Sequence, residues 1–465
     1  MVKQFSTVSC MLAASMFCTA PLTASITLVQ QGDQDFRALY ESVDANRDRH
    51  LEFLRNLIAT SADGEEAVQA LVAERFAQLG AEVQTLRLVP TQLDMNQEFA
   101  AEETIDMTER ISVVGKLVGS GGGKSLLFFG HPDGEPQTPE SMSGWTRDPF
   151  GAIVENGRVY GWGVADDLAG VAIMAEALDA VLSTSGTPAG DIYLGSTPAK
   201  RNARGILAIL NEGYVADASV YLHPAESEAG LNDIKAITSG MLQFRINVTG
   251  RPPDTREPGQ TAFTHLSINA VDKATVIIDA LKQLDADRAE RVFHAPLNEA
   301  VGRSTNLLVS GLNCGEGSSF TQVPTSCTIM VSITFPPSEQ LNSVQEEISA
   351  AIASAARHDP WLAESPPEIE WMFGTQGVEV PPEHPLYQSV YNAVQDVTGV
   401  APVVNPLHSA SDIRNPMLFS GIPSVGLGPL AGDFTQAGRF DEWVDVDDYL
   451  NAIKVCARMI VEWAN

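Results

Sequence analysis

Between residues 112 and 222 short apolar runs alternate with helical stretches, and few folds satisfy that rhythm. The spacing predicts strands over 112–117, 125–130, 191–195 and 220–222, and helices over 169–182 and 203–210. Strands joined through helices pair in parallel, and a parallel sheet is covered on both faces. At about residue 238 the rhythm changes. A strand, a long helix, two strands, a helix and a strand follow over 242–248, 268–284, 306–312, 325–334, 344–357 and 368–372. That order, βαββαβ, is the ferredoxin-like unit. From residue 383 the α/β character resumes and ends in a helix over 446–463. The expected fold is therefore α/β: a mostly parallel-sheet domain, 25–237 and 376–465, interrupted by a ferredoxin-like domain over 238–375. Upstream, residues 36–79 repeat at helical spacing, broken by the turn Thr60-Ser61-Ala62-Asp63-Gly64.

A formal charge of −30 argues against nucleic acid and against an anionic membrane surface, since both need a basic face. The apolar fraction of 44% is that of a globular chain, and 465 residues can bury a large core. Lys3, a mildly apolar stretch over 8–22 and small residues near Ala24 read as a signal peptide, 1–24. No other segment offers the roughly 18 uninterrupted apolar residues of a membrane span, so the expectation is a soluble exported protein, periplasmic or secreted. Beyond the signal lie Cys314, Cys327 and Cys456. Cys314 and Cys327 end two alternating runs that can be adjacent strands. They read either as a disulfide or as two small buried thiols.

Gly119-Ser120-Gly121-Gly122-Gly123-Lys124-Ser125 looks like a phosphate loop but is followed by a strand, so no helix N-terminus is available there. It reads as a hairpin turn. The chemistry lies further on. His131-Pro132-Asp133 follows one strand, and Trp145, Asp148-Pro149-Phe150 and Gly157-Arg158-Val159-Tyr160-Gly161-Trp162-Gly163-Val164-Ala165-Asp166-Asp167 come after it. Ligands in such sheets sit at the C-terminal ends of the strands. His131 supplies a nitrogen ligand there, Asp166 a carboxylate that can bridge two cations, and Asp133 can orient the imidazole from behind.

The string resembles the zinc aminoacylase family, which includes acetylornithine deacetylase, succinyl-diaminopimelate desuccinylase and glutamate carboxypeptidase. Its pattern is H-x-D, W-x-x-D-P-F and G-x-x-Y-G-R-G-x-x-D-x-K-G. Ser411-Asp412-Ile413-Arg414, Gly421-Ile422-Pro423 and Asp441-Glu442 look like further landmarks, so that the resemblance covers nearly the whole mature chain. It implies a catalytic domain, an inserted dimerisation domain, a homodimer, a small peptide or acyl-amino-acid-like ligand, and two zinc ions with a glutamate as general base. His131 matches the first ligand and Asp166 the bridging one. Asp412 and Arg414 are carried over as candidates for the catalytic cleft.

Elsewhere the sequence departs from the pattern. Ala199 stands for the glutamate base and Lys200 for the ligand beside it, in a segment, Gly195 to Gly205, that contains no carboxylate. His223, before Pro224, takes the place of an acidic ligand. Gly438 stands where the last histidine ligand belongs, and the last histidine of the chain is His408. One metal site thus keeps His131, Asp166 and His223, enough for a single zinc with an open position. The other keeps only Asp166, where the Lys200 ammonium can replace the missing cation. At most one zinc, or none, is expected. Three readings stay open: a divergent metal-dependent hydrolase, a proton-transfer enzyme (isomerase or lyase) using Lys200 and the histidines, and a pseudoenzyme that binds or regulates a partner.

Overall fold

A computed structural model describes residues 36–465, apart from 94, 96, 106, 225–226, 316–318, 407–410 and 432–439. The chain divides into two units, Met1–Phe36 and Arg37–Asn465, and the features below belong to the second. The signal peptide expected over 1–24 lies outside the described residues, as do Gly438 and His408.

The larger sheet has six strands in the order Glu82–Leu88, Arg110–Leu117, Ile192–Ser196, Leu126–Gly130, Ala218–Leu222, Ser424–Leu427. The last four are parallel, and Arg110–Leu117 runs antiparallel to both of its neighbours. Every residue of Leu126–Gly130, Ile192–Ser196 and Ala218–Leu222 is buried, as a sheet covered on both faces requires. Helices Ala169–Thr184 and Val446–Ala464 pack together on one face. On the other, helices Gly205–Asn211 and Arg414–Ser420 cover Leu127, Phe129, Tyr193 and Tyr221.

The second sheet runs Asn306–Cys314, Ser326–Phe335, Gly240–Thr249, Glu368–Thr375, Glu98–Ala100, all antiparallel. Along Gly240–Thr249 and Ser326–Phe335 burial alternates, so one face meets helices Ala270–Arg291 and Leu341–His358 while the other stays accessible. With its two helices this is the βαββαβ unit. Cys314 and Cys327 are opposite each other in the ladder and joined by a disulfide, with a Cα–Cα distance of 4.1 Å. Cys456 is a free, buried thiol.

Two features differ from expectation. Glycines 119–123 do not form a hairpin, because Ile192–Ser196 lies between the strands they join. The segment crosses the sheet end instead, with Ser120 N donating to Pro188 O and Gly121 N to Ala189 O. Glu98–Ala100, expected in the larger domain, forms the fifth strand of the small sheet, where Phe99 lies over Gly374.

Candidate active site

Three neighbouring parallel strands deliver the site from their C-terminal ends. His131 follows Leu126–Gly130, the segment Thr197–Lys200 follows Ile192–Ser196, and His223 follows Ala218–Leu222. Asp166 arrives from an irregular turn before helix Ala169–Thr184. Gly170 lets that helix start against the end of Ala218–Leu222, for a Cβ there would overlap Leu222 O. The turn is clamped by Glu442, which accepts the backbone N–H groups of Gly163, Ala165 and Asp166 at 3.0, 2.8 and 3.0 Å.

Asp166 is the centre. Its Oδ1 lies 2.9 Å from His131 Nε2 and 3.1 Å from His223 Nε2, and its Oδ2 accepts from the Lys200 ammonium. Lys200 Nζ also lies 2.9 Å from Glu135 Oε1. Asp133 organises the surroundings. It accepts Ala199 N and Lys200 N at 3.0 and 2.9 Å and the Arg110 guanidinium at 2.7 Å, while its carbonyl lies 2.8 Å from His131 Nδ1. Arg201, Asn202 and Arg204 adopt left-handed φ angles of 56°, 55° and 54°, unusual for residues with a side chain. Strain of this kind persists where surrounding contacts fix it.

Electrostatics follow from this geometry. Burial opposes a charge on Asp166, but the Lys200 charge and hydrogen bonds from both histidines hold its carboxyl well below the usual range. Burial likewise works against protonating His131, yet its bonds to Asp133 and Asp166 and the charge of Asp166 raise it well above 6.5. His223 moves the other way, because burial and the Lys235 charge favour the neutral ring. Lys200 stays protonated: the charges of Asp166 and Glu135 outweigh burial. Burial and the charge of Asp166 push Glu442 up to about 8 against its three backbone donors.

The donor set fits one metal ion. Two imidazole nitrogens and a carboxylate oxygen lie within 4.8 Å of one another, and each imidazole has its Nδ1 beside a backbone carbonyl, Asp133 O at 2.8 Å and Pro224 O at 2.9 Å. Such an anchor orients a ligating ring. For a second ion the described residues offer Asp166 Oδ2, already met by Lys200. Asp412 and Arg414 are not part of this cluster's contacts. Arg414 is buried in an ion pair with Glu98, and its Nη1 reaches Asp412 at 3.1 Å.

Four residues of the site, Lys235, Glu135, Arg110 and Glu442, have no role that the sequence alone predicts. Lys235 is fully buried, with Nζ 2.9 Å from His223 Nδ1 and donating to His223 O and Pro224 O at 3.0 and 2.6 Å. A lysine amid the apolar run Ile234–Ile237 was the available signal. Glu442 carried a signal as part of the landmark Asp441-Glu442, whereas Glu135 carries none, because its partner Lys200 comes from a distant part of the chain.

Residues 127–462, well over half of the chain, match Peptidase family M20/M25/M40. An N-formyl-4-amino-5-aminomethyl-2-methylpyrimidine deformylase of Bacillus subtilis (strain 168) is 23% identical over 451 residues, 93% of this chain and 99% of that protein. A succinyl-diaminopimelate desuccinylase of Alkalilimnicola ehrlichii is 26% identical over 331 residues, 70% and 81% of the two chains. An M20 family metallo-carboxypeptidase of Sulfolobus solfataricus superposes with a TM-score of 0.65 at 18% identity, over 93% of this chain and all of that one.

Proposed function

The chain belongs to peptidase family M20/M25/M40, and from that premise we propose that it is an exported amide hydrolase, acting on peptide or N-acyl amino acid type substrates with at most one metal ion. The observation that carries the reading is the convergence of His131, Asp166 and His223. These three would hold the ion, which as a Lewis acid would polarise the amide carbonyl. The chain's own groups do the rest. Lys200, fixed by Asp166 and Glu135, offers a positive charge to the developing oxyanion in place of a second cation. Glu135, half-exposed beside it, is the carboxylate that takes the proton from the attacking water and passes it to the leaving amine, a role Ala199 cannot fill. Asp133 holds both the His131 ring and the Lys200 backbone in place.

Metal content of protein purified without added metal tests the proposal. One equivalent or less is expected, with none in His131→Ala or His223→Ala. Two tightly bound equivalents would overturn it. Ala199→Glu with Lys200→Glu and Gly438→His is expected to raise the capacity to two.

One observation favours a second reading. The Lys200 ammonium already compensates the charge of Asp166 without any ion, as a catalytically silent binding protein would require. Absence of both metal binding and amide hydrolysis would make that reading the better one.

A further inference from the structure

A cavity of about 170 Å³ opens beside the Asp166 cluster, and the described residues of its walls are mostly aromatic or acidic. Trp145, Trp162 and Phe440 contribute aromatic rings, and Glu135 and Glu442 contribute carboxyl groups. Among the described residues no lysine or arginine lines it. The Lys200 ammonium nearby is turned to Asp166 and Glu135.

The rings are seated by backbone that has made room for them. A Cβ on Gly134 would come within 2.9 Å of the Trp162 ring, and one on Gly144 would overlap Phe440. Trp162 N donates to Pro149 O at 2.7 Å, and its ring lies 6.4 Å from that of Phe150. Trp162 stands where the family pattern quoted above has arginine, so a cation is replaced in this chain by a π face.

We propose that this cavity is a substrate subsite for a compact organic cation, a quaternary or protonated amine of about one ring in size. Three arguments lead there. Aromatic faces present negative potential, which attracts ammonium groups most strongly where water is excluded. A neutral apolar occupant would strip water from the half-exposed Glu135 carboxylate without replacing its partner, and an anion would be repelled by it. A cavity of about 150 Å³ accommodates benzene, which sets the size of the group.

The position makes it a subsite of the same reaction centre. Glu442 binds the Asp166 backbone N–H, and Glu135 pairs with the lysine that pairs with Asp166. A cationic head held here leaves the rest of its molecule beside the cluster. This deepens the hydrolase reading to amides that carry a fixed positive charge, and rests on it only for the word substrate.

Titration calorimetry and tryptophan fluorescence on the full chain test it, with choline as cation and 3,3-dimethylbutan-1-ol as neutral isostere. Choline is expected to bind at least tenfold more tightly than the isostere and to alter the fluorescence. Trp162→Leu and Trp145→Leu should each lose at least tenfold, and Trp162→Phe, which keeps a ring, should lose less. Far-ultraviolet circular dichroism confirms that each variant folds. Equal binding of the two probes, or no choline binding by the folded wild type, overturns the proposal. Binding needs no turnover, so the two readings fail separately. Choline binding without amide hydrolysis would sink only the catalytic reading, and hydrolysis with no preference for cationic amides would sink only this one.

Discussion

Glu442 is a fully buried carboxyl whose pKa is pushed up to about 8, from an ordinary 4.5. The folded protein therefore holds a proton there that the unfolded chain releases above pH 4.5. Between about pH 4.5 and 8 this group makes stability fall as pH rises, by about 1.4 kcal/mol per unit. His131, raised above 6.5, adds a change of the same sign above that pH. Urea midpoints of metal-stripped protein are expected to drop from pH 5 to pH 8, and to drop less in Glu442→Gln. A variant as pH-sensitive as the wild type would rule this out. For catalysis, Glu135→Gln should lower kcat about 10²–10⁴-fold, the usual weight of a general base, with metal content unchanged. An unaffected kcat would send the search for the proton acceptor elsewhere. Legibility at this scale was uneven. His131, Asp166, His223 and Lys200 stood out because the family resemblance gives their places in its motifs. Lys235 left only the hint of a charge in an apolar run, and Glu135 none, since its contact spans 65 residues.

Arg414 shows how an element can claim a residue that motif reasoning gives to chemistry. It opens the short helix Arg414–Ser420, and its guanidinium pairs with Glu98 on the fifth strand of the small sheet. Both side chains are buried, at 9% and 3% exposure. Removing one partner of such a pair leaves an uncompensated charge, at a cost of about 3–5 kcal/mol. Arg414→Met should destabilise by that order in urea unfolding, and adding Glu98→Leu should restore part of the loss. An additive double variant would mean that the pair is not coupled. Element types were legible wherever periodicity was strong, as in Ala169–Thr184, Leu341–His358 and Val446–Ala464. Glu82–Leu88 was not, because a largely solvent-facing edge strand with one buried residue carries little pattern. The glycine segment over 119–123 was misread as a hairpin because strand order is not written in neighbouring residues.

For the whole molecule, the small sheet ends at Asn306–Cys314, an edge strand whose Leu308 and Leu312 are 60% and 40% exposed. An open edge with apolar side chains invites pairing, and we propose that it mediates a two-fold homodimer. Light scattering at micromolar concentration should give twice the chain mass, and Leu308→Lys with Leu312→Lys should give a monomer. A monomeric wild type would refute the assembly but leave the fold intact. At the junction of the two sheets the chain crosses beside the paired residues Ile237–Glu379 and Thr238–Val378, and Glu98–Ala100 runs next to Glu368–Thr375. Both ends of that fifth strand lead back to the large sheet, so three ribbons lie abreast where two would have served. Neighbouring strands are about 4.8 Å apart, which makes a strip about 10 Å wide. Like a leaf spring, such a strip flexes about the axis across its width and resists sideways shear. The small sheet is thereby left one easy direction of bending against the large one.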